Sequence, residues 1–254
     1  MQLLQTSNQP FAHSPLRSVS DKYVFIDSED IIEKIEHVSG MKHVGTSWAK
    51  LRTNPLARQG RQKHVMAFGH DESEGLRLLV TNDHEGRTAL RFDLGFFRMA
   101  CANGIICGDS IFSQKQVHRG SKYDISKIVD DAMAHSIRLE QAIRDMAQVE
   151  TDSAARLALR KSLGRIRKHD LVTTQVLEAR REEDKAMDLW TQFNLIQEYG
   201  IRGGYLYHVV DKDGERQFKK TGEKNIRLAP AVKSIDAQST INKALFETAM
   251  ELVY

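Results

Sequence analysis

Cysteine is scarce in this chain: two in 254 residues, Cys101 and Cys107, both in apolar surroundings. No Cys-x-x-Cys pair and no histidine at ligand spacing accompanies them, so they read as reduced core thiols rather than a disulfide or a metal pair. No apolar run approaches the roughly 20 residues that span a membrane. The N-terminus lacks the basic-then-apolar order of a secretory signal, so the expected location is the cytoplasm. The sequence also lacks a Gly-x-x-x-x-Gly-Lys-Ser/Thr phosphate loop, a His-Glu-x-x-His helix and a Gly-x-Ser-x-Gly elbow. Gly200 to Gly204 is too short for a dinucleotide loop and has no helix after it. A strong excess of one charge is missing as well. Lys and Arg number 37 against 34 Asp and Glu, a net +3 that neither demands nor excludes a nucleic acid. Local patches decide that question.

What is present suits a soluble globular protein, with 41% hydrophobic and 28% charged residues. Residues 1–21 carry Gln, Ser, Asn, Pro10 and Pro15, and read as a flexible or partner-bound arm. The rest is expected to be a single domain, 22–254, with a helical insertion at about 125–200. Its first elements are a strand at Tyr23–Ile26 and a helix from about Glu29 to Val38 behind Asp27-Ser28. Ile31, Ile32, Ile35 and Val38 share one face of that helix. Lys42 to Gln62 reads as irregular. A strand at His64–Gly69 precedes a clear hairpin, Leu76–Thr81 with Arg87–Phe92.

The most apolar stretch, Leu90 to Gly120, reads as a strand end, a short buried helix at Phe96–Cys101 leaving through Asn103-Gly104, and a tight hairpin around Gly108-Asp109. Long helices are expected at Ile125–Glu150, at Ala154–Lys168, and over Asp170–Gly200 as one helix or two. A hairpin, Tyr205–Val210 with Glu215–Phe218, and a terminal helix, Asp236–Val253, complete the chain. The fold class is α+β: an antiparallel sheet with an inserted buried helix, followed by long helices and a C-terminal hairpin plus helix.

Three basic segments are candidates for nucleic acid contact. The first holds Lys42, Lys50, Arg52, Arg58 and Arg61 around Trp48, and is either a solvated loop or a surface where cations meet phosphates and a ring stacks on a base. The second holds Lys115, His118, Arg119 and Lys122. His118 has no evident nucleophile or carboxylate beside it in sequence, which favours phosphate contact or a structural role over catalysis. The third is the helix with Arg156, Arg160, Lys161 and Arg165, whose four-residue spacings put charges on shared faces. An exposed helix or a contact to an acidic partner surface is the alternative there. Asp71, Glu72, Glu74, Asp83 and Glu85 read as solvated turn residues, or less readily as a nuclease metal site. Arg98 calls for a structural carboxylate such as Asp93. No catalytic set and no cofactor or metal is indicated.

Phe97-Arg98-Met99-Ala100-Cys101-Ala102-Asn103-Gly104 resembles the arginine, apolar, cysteine, asparagine signature of a large phage/plasmid-like family of unknown function. Val117-His118-Arg119-Gly120, Leu189 to Tyr199, and Asn242-Lys243-Ala244-Leu245-Phe246 resemble its later segments, in the same order. The likeness covers about Lys42 to Val253 and departs in the charged central helices. It implies a mobile-element protein in a bacterial host cytoplasm, without an established activity. In outline the sheet with helices is also similar to phage single-strand-annealing proteins of the lambda Red-beta and Rad-like classes, a likeness of fold alone. The expected function is therefore ATP-independent binding and annealing of single-stranded DNA by a homo-oligomer. The alternative is a phage protein that blocks a host defence or host enzyme by protein contact.

Overall fold

The computed structural model describes residues 10–15, 19–49, 59–70, 75–98, 103–106, 112–119, 124–172, 174–212 and 214–254. The chain divides into two compact units, residues 2–139 and 140–254, and the architecture is α+β.

The first unit opens with α1 (Ser28–Ser39). The Asp27 carboxylate accepts from the Glu29 N–H, and the chain leaves through Gly40 at φ 69°, whose N–H donates to the Glu36 carbonyl. Ile31 and Ile35 bury the apolar face. Six antiparallel strands follow: β1 (Lys42–Trp48), β2 (His64–Gly69), β3 (Gly75–Asn82), β4 (Leu90–Arg98), β5 (Asn103–Ile106) and β6 (Ser113–Gln116). The order is β1-β2-β3-β4-β5, and β6 also pairs with β4. β5 takes Gly95 to Arg98 and β6 takes Leu90 to Asp93 of β4. Every residue of the interior strand β2 is buried.

Four expectations are corrected here. The first part of the basic Lys42–Gln62 segment is not irregular but forms β1. The inserted buried helix is absent at Phe96–Arg98, which continue β4, and Asn103-Gly104 pair with Arg98 and Phe97 as part of β5. Residues 99–102 lie outside the description. A dense apolar run reads equally as a buried helix or a buried strand. Here Phe96 pairs with Leu76 of β3 and Ile105 of β5, so the run extends the strand that holds the buried Leu90, Phe92 and Leu94. The tight hairpin was expected to pair its two arms, whereas β5 and β6 each pair with β4; its turn, 107–111, is not described. Tyr23–Ile26 is no strand. Val24 exchanges bonds with His118 instead, its N–H to the His118 carbonyl at 2.8 Å and its carbonyl accepting from His118 Nδ1 at 3.2 Å.

Under α1 lies a buried polar network. His64 Nδ1 donates to the Gln62 carbonyl at 2.9 Å, so its neutral ring accepts at Nε2 from the Ser28 hydroxyl at 2.8 Å. Asn82 Nδ2 donates to Ser28 Oγ at 2.9 Å and to the Ile26 carbonyl at 3.0 Å, and His84 Nε2 lies 3.1 Å from the same hydroxyl. Burial pushes His64 down to about 3 and His84 down to about 4, so both rings are neutral near pH 7.

α2 (Ile125–Gln148) carries the chain into the second unit, whose elements are α3 (Ser153–Arg167), β7 (Asp170–Leu171), a 3₁₀ turn (Glu182–Lys185), α4 (Leu189–Arg202), β8 (Leu206–His208), β9 (Ile226–Leu228) and α5 (Ile235–Glu251). The expected third helix shrinks to α4. Asp188 caps it, accepting from the Thr191 N–H. The residues before it are held by other bonds: Gln175 Oε1 accepts from the Leu206 N–H at 2.6 Å, and the Tyr199 hydroxyl donates to the Glu178 carbonyl at 3.0 Å. The expected C-terminal hairpin is present in part: Val210 bridges Arg216, the Gln217 N–H donates to the Val209 carbonyl at 2.8 Å and the Asp211 N–H to the Glu215 carbonyl at 2.9 Å, while the named strand partner of β8 is β9, further along the chain.

α4 is buried almost throughout, polar residues included. Glu198, at 1% exposure, receives Arg181 at 3.0 and 3.3 Å, Arg202 at 2.9 Å and Arg180 at 3.5 Å. Arg181 also reaches Asp184 at 2.9 Å. Beside them Gln197 Nε2 donates to Asn242 Oδ1 at 3.0 Å. Among the described residues no helix is long and apolar enough to cross a membrane.

Candidate nucleic-acid interface

α3 supplies most of the site. It starts at Asp152, whose carboxylate accepts from the Ala155 N–H at 2.7 Å. Leu159, Ser162, Leu163 and Gly164 form its buried face, and Ser162 Oγ meets Thr248 Oγ1 of α5 at 2.8 Å. The other face carries Leu157, Lys161 and Arg165 at four-residue spacing, so their side chains follow one row. Lys168 ends the helix in the left-handed region at φ 53°. There the chain doubles back, and the His169 N–H donates to the Gly164 carbonyl at 2.9 Å.

The doubling back requires glycine at 164. A Cβ there would lie 2.9 Å from the His169 carbonyl oxygen and 2.9 Å from Leu171 Cδ1. With none, His169, Asp170 and Leu171 close against α3 and form a wall. The result is an open recess of about 910 Å³ whose lining includes Arg160, Lys161, Arg165, Lys168 and His169, with the carboxylates Asp170 and Glu251 at its margin.

Its charge is predominantly positive. Asp170 is already engaged by Arg216, at 2.5 and 3.3 Å. Lys161, Arg165 and Lys168 are exposed and form no ion pair among the described residues. Arg160 is half-buried and donates to the Val172 carbonyl at 3.1 Å. His169 stacks flat on Tyr207, centroids 3.8 Å apart and planes 4° apart, and its Nδ1 lies 2.7 Å from the Tyr205 hydroxyl. Burial, then the Arg167 charge, holds His169 down to about 4, while burial pushes Tyr205 up to about 12. The pair is a neutral imidazole against a phenol. Cations for phosphates beside a fixed ring are the elements of a single-strand site.

The other candidates from the sequence fall elsewhere. Arg156 turns to the Asp152 carbonyl and Met187 Sδ and does not line the recess. In the first unit, Lys42 pairs with Glu36 at 3.6 Å. Arg61 donates to the Ser14 carbonyl and hydroxyl. Trp48 packs against Phe11 at 5.2 Å and His64 at 4.7 Å, so its ring serves the packing under α1. Lys115 is exposed on β6, and His118 and Arg119 wall a cleft with Tyr23 and Arg87. Lys50, Arg52, Arg58 and Lys122 lie outside the described residues. Asp83 and Glu85, read as solvated, are buried instead, and Asp93 is taken by Arg91 at 2.7 Å. Among the described residues no group of three His, Cys, Asp or Glu is placed to hold a metal ion.

Sequence reasoning placed Lys168 at the end of the basic helix but missed His169 beside it. Its signal was its position directly behind a basic helix that contains a glycine, Gly164, near its end.

Comparison with known proteins agrees over nearly the whole chain. The family model described as Domain of unknown function (DUF932) matches residues 15–243. The chain is similar to UPF0380 protein YafZ of Escherichia coli (strain K12), at 25% identity over 96% of this chain and 87% of the relative. UPF0380 protein YfjQ of the same organism matches with the same identity and coverage. No solved structure matches the chain.

Proposed function

The chain belongs to the DUF932 family, and from that premise we propose that it binds single-stranded nucleic acid through the basic recess of residues 140–254. The observation that carries the reading is the row Lys161, Arg165 and Lys168, exposed and without ion pairs among the described residues, beside the stacked His169. A polyanion supplies the missing counter-charges, and releasing its own counterions adds a salt-dependent driving force. Asp170 does not oppose this, because Arg216 already neutralises it. The finer reading is a mobile-element protein of phage, prophage or plasmid origin that anneals complementary strands without ATP. Annealing requires several subunits that hold a strand with its bases outward, so a homo-oligomer is part of the proposal.

The test is fluorescence anisotropy with labelled single- and double-stranded oligonucleotides across a salt series, with light scattering for mass. Preferential, salt-sensitive binding to the single strand is expected. Lys161→Glu with Arg165→Glu should weaken it roughly tenfold or more and lower the salt slope by about 1.4, the share of two phosphate contacts on a single strand. No binding at low salt, or binding untouched by the double variant, overturns the assignment.

A further inference from the structure

The second unit carries an arm that takes no part in its core. The chain runs on from β8 through Val210, turns, returns through Arg216 to Phe218, turns again and enters β9. Every described residue from 211 to 224 is exposed. Backbone bonds set the course of the arm, and three of them close a ring at its base. The Gln217 N–H donates to the Val209 carbonyl at 2.8 Å, Val209 to Asn225 at 2.8 Å, and Asn225 to Gln217 at 3.0 Å. Ordering a segment costs conformational entropy, and this one buries little side chain to offset it. Its order calls for a contact outside the fold.

The bridges Val210–Arg216 and Phe218–Lys224 and the pair His208–Ile226 surround that ring of bonds. Strand alternation places their side chains on one face. Asp170 pairs with His208 and belongs to the same face, which agrees with its ion pair to Arg216 at 2.5 Å. Asp170, Val210 and Gly214 also line the basic recess. The face is therefore continuous with the recess. Phe218 stands two residues beyond Arg216, about 7 Å along an extended chain.

Phe218 is 60% exposed, and no other ring lies against it among the described residues. Ile226 and Leu228, at 37% and 63%, extend the apolar surface along β9. The charge around it is one-sided. Residues 214–228 hold five cations against two carboxylates. Arg216 is matched by Asp170 and Lys219 by Glu223. Lys220, Lys224 and Arg227 have no ion pair among the described residues. Lys224 stands directly opposite Phe218, in a pair of the closer, non-hydrogen-bonded kind.

A purely apolar partner would cover the ring and leave these cations without counter-charges. A simple anion would meet the cations and leave the ring in water. A single strand offers both, with flat apolar faces on its bases and a negative charge on every phosphate. We infer that the arm is the base-contacting half of the site: Phe218 stacks on a base of the strand whose phosphates the recess holds, and Lys220 and Lys224 take the phosphates beside it. The inference rests on the single-strand reading of the recess. It adds what His169 lacks, since Tyr207 already covers one face of that ring.

Anisotropy of the full chain with a labelled single strand, in an ordinary and a base-free version, tests it. Phe218→Ala and Phe218→Leu should each weaken binding to the ordinary strand roughly tenfold, the loss of one stacked base. The salt slope should stay unchanged, because no phosphate contact is removed. Lys220→Ala with Lys224→Ala should instead lower the slope by about 1.4. On the base-free strand Phe218→Ala should match the parent. Its unfolding curve and its mass by light scattering should also be those of the parent, since the ring is exposed. Full affinity in Phe218→Ala, with binding weakened by Lys161→Glu and Arg165→Glu, overturns the arm and leaves the recess standing. The reverse pattern supports the arm and removes the recess, and no binding by the parent removes both. Full affinity in Phe218→Leu, equal weakening on the base-free strand, an altered mass, or a slope untouched by the lysine pair also overturns the inference.

Discussion

Each unit is built around one buried polar cluster, and the two clusters differ in form. In residues 2–139 the largest such cluster is neutral, Ser28, His64, Asn82 and His84 sharing one hydrogen-bonded network under α1, although Asp83 and Asp93 are buried in the same unit. Residues 140–254 bury full charge, with Glu198 inside a collar of Arg180, Arg181 and Arg202. A neutral network is inexpensive to desolvate but holds only while its histidines remain uncharged. A buried ion cluster is indifferent to pH near neutrality, yet it fails when any one partner is removed. The first unit should therefore be the pH-sensitive half and the second the mutation-sensitive half. The chain's two tryptophans divide between the units, Trp48 in the first and Trp190 in the second. Each unit's unfolding can thus be followed separately in variants retaining one indole.

The largest effect should come from Glu198→Ala. It leaves three guanidiniums around an empty centre, at a cost of about 3–5 kcal/mol to the second unit. Urea unfolding followed at Trp190 would show it, and a loss near zero would break the contrast.

Acid should act next, and on the other half. His64 and His84 fold with pKa values near 3 and 4 against an ordinary 6.5. Their stabilisation is whole above pH 6.5 and is lost as pH falls through that value toward 4 and then 3. Between pH 7.5 and 4.5 the first unit should lose on the order of 2–5 kcal/mol. Asp83 works the other way, since burial raises its pKa, and softens the loss. His64→Gln with His84→Gln should flatten the pH dependence of the Trp48 transition; an unchanged slope would assign it to other groups.

Gly164→Ala probes packing rather than charge. It should cost about 1–3 kcal/mol through overpacking and weaken oligonucleotide binding by displacing the His169 wall. Retained affinity at reduced stability would separate the wall from the site. Asp152→Ala removes an exposed cap from α3 and should cost about 1 kcal/mol, which isolates burial as the source of the Glu198 effect. Smallest of all, Lys42→Ala removes a pair with an exposed lysine and should leave the urea midpoint of the first unit where it was.

Periodicity in the sequence made α1, α2, α3 and α5 legible, along with the β3–β4 hairpin, because each buries one face at a fixed repeat. It was silent where side chains, not the repeat, decide. Residues 172–188 contain good helix formers, yet Gln175 and Glu178 are held by Leu206 and Tyr199 from distant sequence. The run at Phe96 looked helical because bulky residues crowded it, and pairing with β3 settled it as strand. At the recess, four-residue spacing found Arg160, Lys161 and Arg165. Gly164 could be read only as a weak point in a helix, since the close approach it permits depends on how the chain returns.

The arrangement around β4 bears on solubility. An antiparallel sheet ends in two rows of unpaired backbone groups, each a template for a strand from another molecule. β5 and β6, four residues apiece, lie along successive lengths of the same side of β4, so among the described residues that border is made of short strands. At the opposite side β1 breaks its register between His43 and Gly45, a bulge that twists the border away from a flat partner. Among the described residues both borders are thus poor seeds for cross-β stacking.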